Sequence, residues 1–310
     1  MNANIRLGAF ASIRVNSRFL KKGIGFAKMV RAGWSYSGIM DVTIVIPVYN
    51  QIAYTQGCLR SLAPDIAEGV AVVVVDNGST DGTREWLDQQ AGIKVIHNAE
   101  NRGCAAAWNQ GWAAVPAAWT IVLNNDVLMP AGWRNALLGV ADRAGLDIVS
   151  PAMREGELNY DFEEYARQFT NRMAAVMRRG HAHGVCFAVR RAVFARIGGF
   201  DEAFRIGQFE DADFFRRARQ AGFTLGTTGA GFFHHFGSAT QNALRSGPTA
   251  KPYEAENRAH FRKKWRLNWA RRRWERGLMA LRFWLWRTRE RRAHGHTLLE
   301  KWQEGRLRFY

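Results

Sequence analysis

From residue 42 the chain alternates between two textures. Residues 42–47 form a β-branched run ending in proline, and 52–62 carry apolar residues at helical spacing. A second apolar run, 70–75, is closed by the turn-rich Asp76-Asn-Gly-Ser-Thr-Asp-Gly82, and 83–90 read as a helix. Residues 93–96, 105–114 and 119–123 continue the order as strand, helix and strand. Strands without polar alternation are buried on both faces, so the pattern predicts an α/β fold: a mostly parallel sheet with helices on both sides. Ligands of such sheets bind beyond the carboxyl ends of the strands. The polar clusters after the first, second and fourth strands are therefore the places for chemistry.

After residue 151 the pattern loosens. Residues 153–180 are mixed and polar, and read as an inserted loop with a helix. An apolar run at 185–189 and a helical stretch at 211–221 follow, and beyond 254 Arg and Trp dominate. The three cysteines, Cys58, Cys104 and Cys186, form no CxxC pair and read as buried thiols. No apolar run reaches the ~18 residues that a membrane-spanning helix needs, and no secretory leader is expected.

Charge divides the chain more sharply than hydropathy does. The 310 residues carry a formal charge of +17, yet residues 1–40 hold +7, 258–310 hold +13 and 41–257 hold −3. This predicts three segments: a basic N-terminal extension, 1–40; a catalytic body, 41–257; and a basic Arg/Trp-rich helical tail, 258–310. Six of the twelve tryptophans lie in that tail, and Ala270, Trp274, Leu278, Leu281 and Leu285 recur near helical spacing with Arg between them. An amphipathic helix of that kind suits an anionic membrane surface. Nucleic acid is the less favoured partner of such a surface.

Several nucleotide signatures are absent. No GxxxxGK[ST] is present, Gly23-Ile-Gly25 lacks a third glycine and precedes any strand, and no GxSxG occurs. Instead, carboxylates and amides stand at the strand ends: Asp76, Asn124-Asn-Asp126, and later Glu210-Asp-x-Asp213 and His234-His235. A divalent cation that also holds a diphosphate needs only one or two protein ligands.

An ordered series of motifs then gives a resemblance. Val45-Ile-Pro-Val-Tyr-Asn50, Val75-Asp-Asn-Gly-Ser-Thr-Asp-Gly82, Asn101-Arg-Gly103 with Asn109-x-Gly111, and Leu123-Asn-Asn-Asp126 come first. Gly199-Phe-Asp-Glu202, Glu210-Asp-x-Asp213 with Arg217, and His235-Phe-Gly-Ser-Ala-Thr240 follow. Over about residues 41–265 the series resembles family 2 glycosyltransferases of the GT-A fold, and within them the bacterial rhamnosyltransferase-like branch. The resemblance implies inverting transfer of a sugar from a UDP- or dTDP-linked donor to a hydroxyl of a glycan or lipid-linked glycan, in surface polysaccharide synthesis. It implies a cytoplasmic enzyme held at the inner face of the plasma membrane. The other readings are a basic nucleic-acid-binding protein and an inactive homologue acting as a partner subunit.

Carried onto this chain, the resemblance assigns Pro47, Tyr49, Asn50, Asp76, Asn101, Arg102, Asn124 and Asn125 to the donor, with Asp76 on the base. It assigns Mg²⁺ or Mn²⁺ to Asp126 and His235, with His234 the lesser choice. Asn124 departs from the first Asp of the family's DxD. Asp211 takes the role of general base, and His183, Gly184, Gly199, Phe200, Asp201 and Glu210 line the acceptor side. Asp213 and Arg217, four residues apart, are expected to pair structurally.

Overall fold

The computed structural model describes residues 41–237 and 253–310, which lie in one compact unit, Met40–Tyr310. The N-terminal extension and Ser238-Ala-Thr240 fall outside the described residues.

The first half follows the sequence pattern closely. Strands β1 (Val42–Val48), β2 (Ala71–Asp76), β3 (Ile93–His97) and β4 (Trp119–Leu123) pair in parallel in the order β4-β1-β2-β3. Between them run α1 (Ile52–Ser61), α2 (Ala63–Ala67), α3 (Thr83–Leu87) and α4 (Gly103–Ala114). Alternate residues of β1 serve opposite faces. Ile44, Ile46 and Val48 pack with Leu59 and Leu62, whereas Val45 packs with Ala105, Trp108 and Val122. Each such burial stabilises by roughly 1.5–3 kcal/mol. Helix α4 approaches β1 so closely that a Cβ on Gly111 would stand 2.1 Å from Val45 Cγ1.

The second half extends the sheet beyond β4. It comprises β5 (Val127–Leu128), α5 (Trp133–Ala144), β6 (Ile148–Glu155), α6 (Phe162–Met173), β7 (Met177–Arg179), β8 (Cys186–Arg190), α7 (Arg191–Ile197), α8 (Glu210–Gln220) and β9 (Leu225–His235). The segment read as an insert is therefore ordered structure: its helix α6 is capped by Asp161, which accepts from the Glu164 amide. Strand β8 runs antiparallel between β4 and β6, and β9 lies parallel on the far side of β6.

One irregularity places the site. Thr228 pairs with Pro151 but Phe232 pairs with the next residue, Ala152, so Gly229-Ala-Gly231 bulges from β9. A Cβ on Gly229 would stand 2.3 Å from the Met173 carbonyl oxygen, which leaves glycine as the residue that fits. Past the bulge, β9 reaches β5 and sets His235 opposite Val127.

The tail is helical as far as α9 (Tyr253–Lys264) and α10 (Trp269–His294). It then turns into a hairpin, β10 (Leu299–Gln303) and β11 (Arg306–Phe309), and β10 joins β6 in parallel. Arg178, fully buried, anchors α10 through Glu290 at 2.7 Å and also donates to the Tyr310 carbonyl.

Candidate active site

The loops after β1 and β2 lock together. Asn50, with φ 54°, donates its amide to Ser79 Oγ (2.7 Å) and accepts from the Thr80 amide through Oδ1 (2.7 Å). Asp81 accepts from the Ile52 amide at the start of α1 (3.1 Å). Pro47 is buried in β1, and Tyr49 and Asn50 are half-buried at its carboxyl end. Asn101 accepts from the Gly103 amide (2.9 Å), which turns the chain into α4, and Arg102 lies half-exposed, 3.5 Å from Glu202.

Asp76 departs from the expected role. It is fully buried, accepts from the Ser79 amide (2.9 Å) and meets His97 Nδ1 (2.9 Å), whose Nε2 continues to Asp88 (2.8 Å). A ligand cannot reach a carboxylate without accessible surface, so this side chain shapes the turn.

At the end of β4, Asn124 is half-buried and donates its amide to the Val185 carbonyl, while Asn125 is buried and bonds Thr55 (3.0 Å). Asp126 Oδ1 lies 3.4 Å from His235 Nε2, and His235 Nδ1 lies 3.4 Å from Glu155, which pairs with Lys301 at 2.5 Å. Burial opposes charge on His235, but Asp126 and Glu155 outweigh it and raise the imidazole to about 9. His234 turns away: its Nδ1 meets Tyr160 Oη at 2.8 Å, and burial lowers it to about 4. Among the described residues, no three His, Cys, Asp or Glu side chains gather as a metal cage.

Asp211 opens α8. Its Oδ1 accepts from the Ala212 amide (2.7 Å), and its Oδ2 sits where a Cβ on Gly184 would stand, 2.2 Å away. Burial raises the Asp211 carboxyl, and burial with the adjacent Asp211 raises Glu210 to about 8. Glu210 Oε2 is buried with no partner among the described residues. His183 is fixed by Nε2 donating to the Pro151 carbonyl (2.8 Å), and burial holds it neutral, near 4. The Cys104 thiol is held protonated by burial, and the charges of Glu210, Asp211 and Asp126 act in the same direction.

The loop entering α8 is strained. Ile206, Gln208 and Phe209 have φ of 62°, 76° and 76°. Buried Asn257 of α9 holds it, accepting from the Arg205 amide and donating to the carbonyls of Arg205, Gly207 and Gln208.

Two acceptor-side expectations are corrected. Phe200 is buried among Trp108, Phe187 and Phe214, stacked on Phe214 at 4.4 Å, so it belongs to the core. Asp201 pairs with Lys264 (2.6 Å) and His260 (3.2 Å); these bonds overcome burial to hold it near 2, and it fastens α9 to the body. Gly199 is half-buried, and its missing Cβ leaves room for Asn109, which bonds the Phe200 backbone. Asp213 and Arg217 pair at 2.8 Å, as expected, and Lys264 and Trp265 complete Asp213's shell.

The model for glycosyl transferase family 2 matches residues 43–198, half of the chain. The chain belongs to that family. This family 2 glycosyltransferase is 30% identical over 196 residues to the pre-mycofactocin glycosyltransferase of Mycobacterium tuberculosis (strain CDC 1551 / Oshkosh). That match covers 60% of the chain and 40% of the relative, so the chain spans well under two thirds of that protein's length. It is 28% identical over 242 residues to the N-acetylglucosaminyl-diphospho-decaprenol L-rhamnosyltransferase of the same organism, covering 64% of the chain and 78% of the relative. Among solved structures it is similar to GalNAc-T7 with UDP, GalNAc and Mn²⁺, with TM-score 0.51, 15% identity, and 64% and 44% of the two chains covered. That likeness shows the GT-A fold.

Sequence reading of this glycosyltransferase missed Glu155 and Asn257. Only contacts across the fold distinguish them; Glu155 and His235 are brought together by the β6–β9 pairing.

Proposed function

We propose that the chain is an inverting glycosyltransferase that uses a nucleotide-diphosphate sugar and a divalent cation. The observation that carries the proposal is the arrangement of Asp126 beside His235 and Asp211 against Gly184, at the loop ends of a GT-A sheet.

Once the His235 imidazole gives up the proton that Asp126 and Glu155 favour, its Nε2 and the carboxylate oxygen 3.4 Å away are donors that Mn²⁺ or Mg²⁺ accepts, with diphosphate and water oxygens filling the shell. Asp126 and His235 would hold the cation, which when bound neutralises charge on the leaving diphosphate. In the proposed step, the acceptor oxygen forms a bond to the anomeric carbon as the bond to the diphosphate breaks on the opposite face. Asp211 takes the hydroxyl proton; a carboxyl raised by burial is the stronger base. Tyr49, Asn50, Asn101, Arg102, Asn124 and Asn125 flank the donor in this reading, and His183, Gly184 and Gly199 the acceptor.

The tail supports work at an anionic membrane surface. Trp274, Leu278, Leu281 and Leu285 are exposed at positions i, i+4, i+7 and i+11 of α10, opposite the side that Glu290 anchors. No helix among the described residues is long and apolar enough to cross a membrane. A lipid-linked glycan acceptor fits that placement.

A nucleotide-sugar panel screened for thermal stabilisation with Mn²⁺ identifies the donor. With that donor, Asp211→Asn is expected to lower turnover by at least ~100-fold while donor affinity changes little. Asp126→Asn is expected to remove the Mn²⁺ dependence of donor binding. Wild-type turnover in Asp211→Asn would overturn the base assignment.

A further inference from the structure

An arginine-lined cleft opens between the last turns of α10 and strand β11. It measures about 700 Å³ and is lined by Arg287, Arg291, Arg292, Arg306 and Arg308. Five guanidiniums in one cleft repel one another unless an anion joins them. Of the hairpin's two carboxylates, Glu300 is engaged by His296 and Tyr165, and Glu304 pairs with Arg308 and lies 3.9 Å from Arg306. Arg287 and Arg292 are exposed with no carboxylate partner among the described residues, and Arg308 Nε is buried without a partner. The carboxyl end of α10 opposes an anion with only about half a charge. The guanidiniums outweigh it several-fold, and their forked donors match phosphate oxygens.

A second cavity adjoins the first. It measures about 460 Å³ and runs beneath α10 against the sheet, walled mainly by Met153, Phe283, Trp284 and Leu299, with Glu155, Glu300 and Lys301 also on its lining. Arg287 and Tyr310 line both spaces, so the two are neighbours. A cationic cleft beside a mainly apolar chamber matches one chemistry: an anionic head joined to a hydrocarbon chain. Inorganic phosphate leaves the chamber empty, and nucleic acid has no chain to fill it.

We infer that the α10–β11 cleft binds the phosphate or diphosphate head of a lipid whose first chain carbons enter the cavity under α10. This rests on the membrane-facing reading of α10 and deepens it. The head belongs either to a bilayer phospholipid or to an isoprenoid diphosphate.

The full chain is titrated in EDTA, which suppresses cation-dependent diphosphate binding elsewhere. The probes are inorganic diphosphate, farnesyl diphosphate, and phosphatidylglycerol vesicles with phosphatidylcholine vesicles as control. Farnesyl diphosphate is expected to bind at least tenfold more tightly than inorganic diphosphate. The exposed pair Arg287→Glu/Arg292→Glu is expected to weaken farnesyl diphosphate at least tenfold, and Trp284→Ser to weaken it while leaving inorganic diphosphate unchanged. Vesicles that displace farnesyl diphosphate assign the head to a bilayer lipid. Vesicles that bind both forms equally, while farnesyl diphosphate is lost from the double variant, assign it to the isoprenoid. Farnesyl diphosphate affinities within twofold across all three proteins would overturn the inference. Mn²⁺-dependent UDP binding, measured on the same variants, reports on the transferase reading separately.

Discussion

At Gly184 the missing Cβ is what admits the Asp211 carboxylate, and the same side chain is tied to the amide of its own neighbour. Next to it, Glu210 is raised from an ordinary 4.5 to about 8 by burial and by Asp211. Between those values the native state holds a proton that the unfolded chain releases, so Glu210 lowers stability as pH rises from about 4.5 to 8. Glu210→Gln removes that loss. Its stability advantage over the parent is expected to be negligible below pH 4.5 and to grow to a plateau above pH 8, at about 1.4 kcal/mol per realised pKa unit. Urea unfolding across that range is the check, and a pH-independent difference would refute the assignment. At this scale the sequence singles out Asp126, Asp211 and His235 by residue type and motif, and the roles proposed for them rest on that together with their placement at the strand and helix ends. Asp76 and Phe200 were misleading, because a motif names a residue without saying which way its side chain turns.

Helix α9 acts on the site through a single side chain. Three non-glycine residues in the left-handed region at 206, 208 and 209 each cost on the order of 1 kcal/mol or more, and Asn257 offsets this with four hydrogen bonds to the loop. Asn257→Ala removes those four hydrogen bonds, and a loss of about 2–4 kcal/mol is expected. Turnover should fall with it, since the loop leads directly into Glu210 and Asp211. Denaturant midpoints and turnover of the folded variant test both, and unchanged turnover would separate the loop from the site. Strands β1, β2 and β4 were legible as elements because continuous Val and Ile runs have few other uses. Strand β9 was not, because Thr227, Thr228 and the Gly229-Ala-Gly231 bulge break its apolar run. The hairpin β10–β11 hid within an arginine-rich composition that reads as solvated helix, although it pairs with β6.

On the scale of the whole chain, the tail and the body share one sheet, and Arg178 is the buried pin between them. Removing one partner of a buried ion pair strands a charge, so Glu290→Gln is expected to cost about 3–5 kcal/mol. Arg178→Met/Glu290→Leu, which removes both charges, should cost much less; chemical denaturation of the three proteins checks the order. Equal losses would mean that the contact is packing rather than charge. The sheet path ends at β3 on one side and β11 on the other, and open edges invite strands from other molecules. Lys94 stands on the first edge, and Arg306 and Arg308 alternate along the second. A foreign strand approaching either rim must bury cations against itself, so the ends of this long sheet resist growth into aggregates.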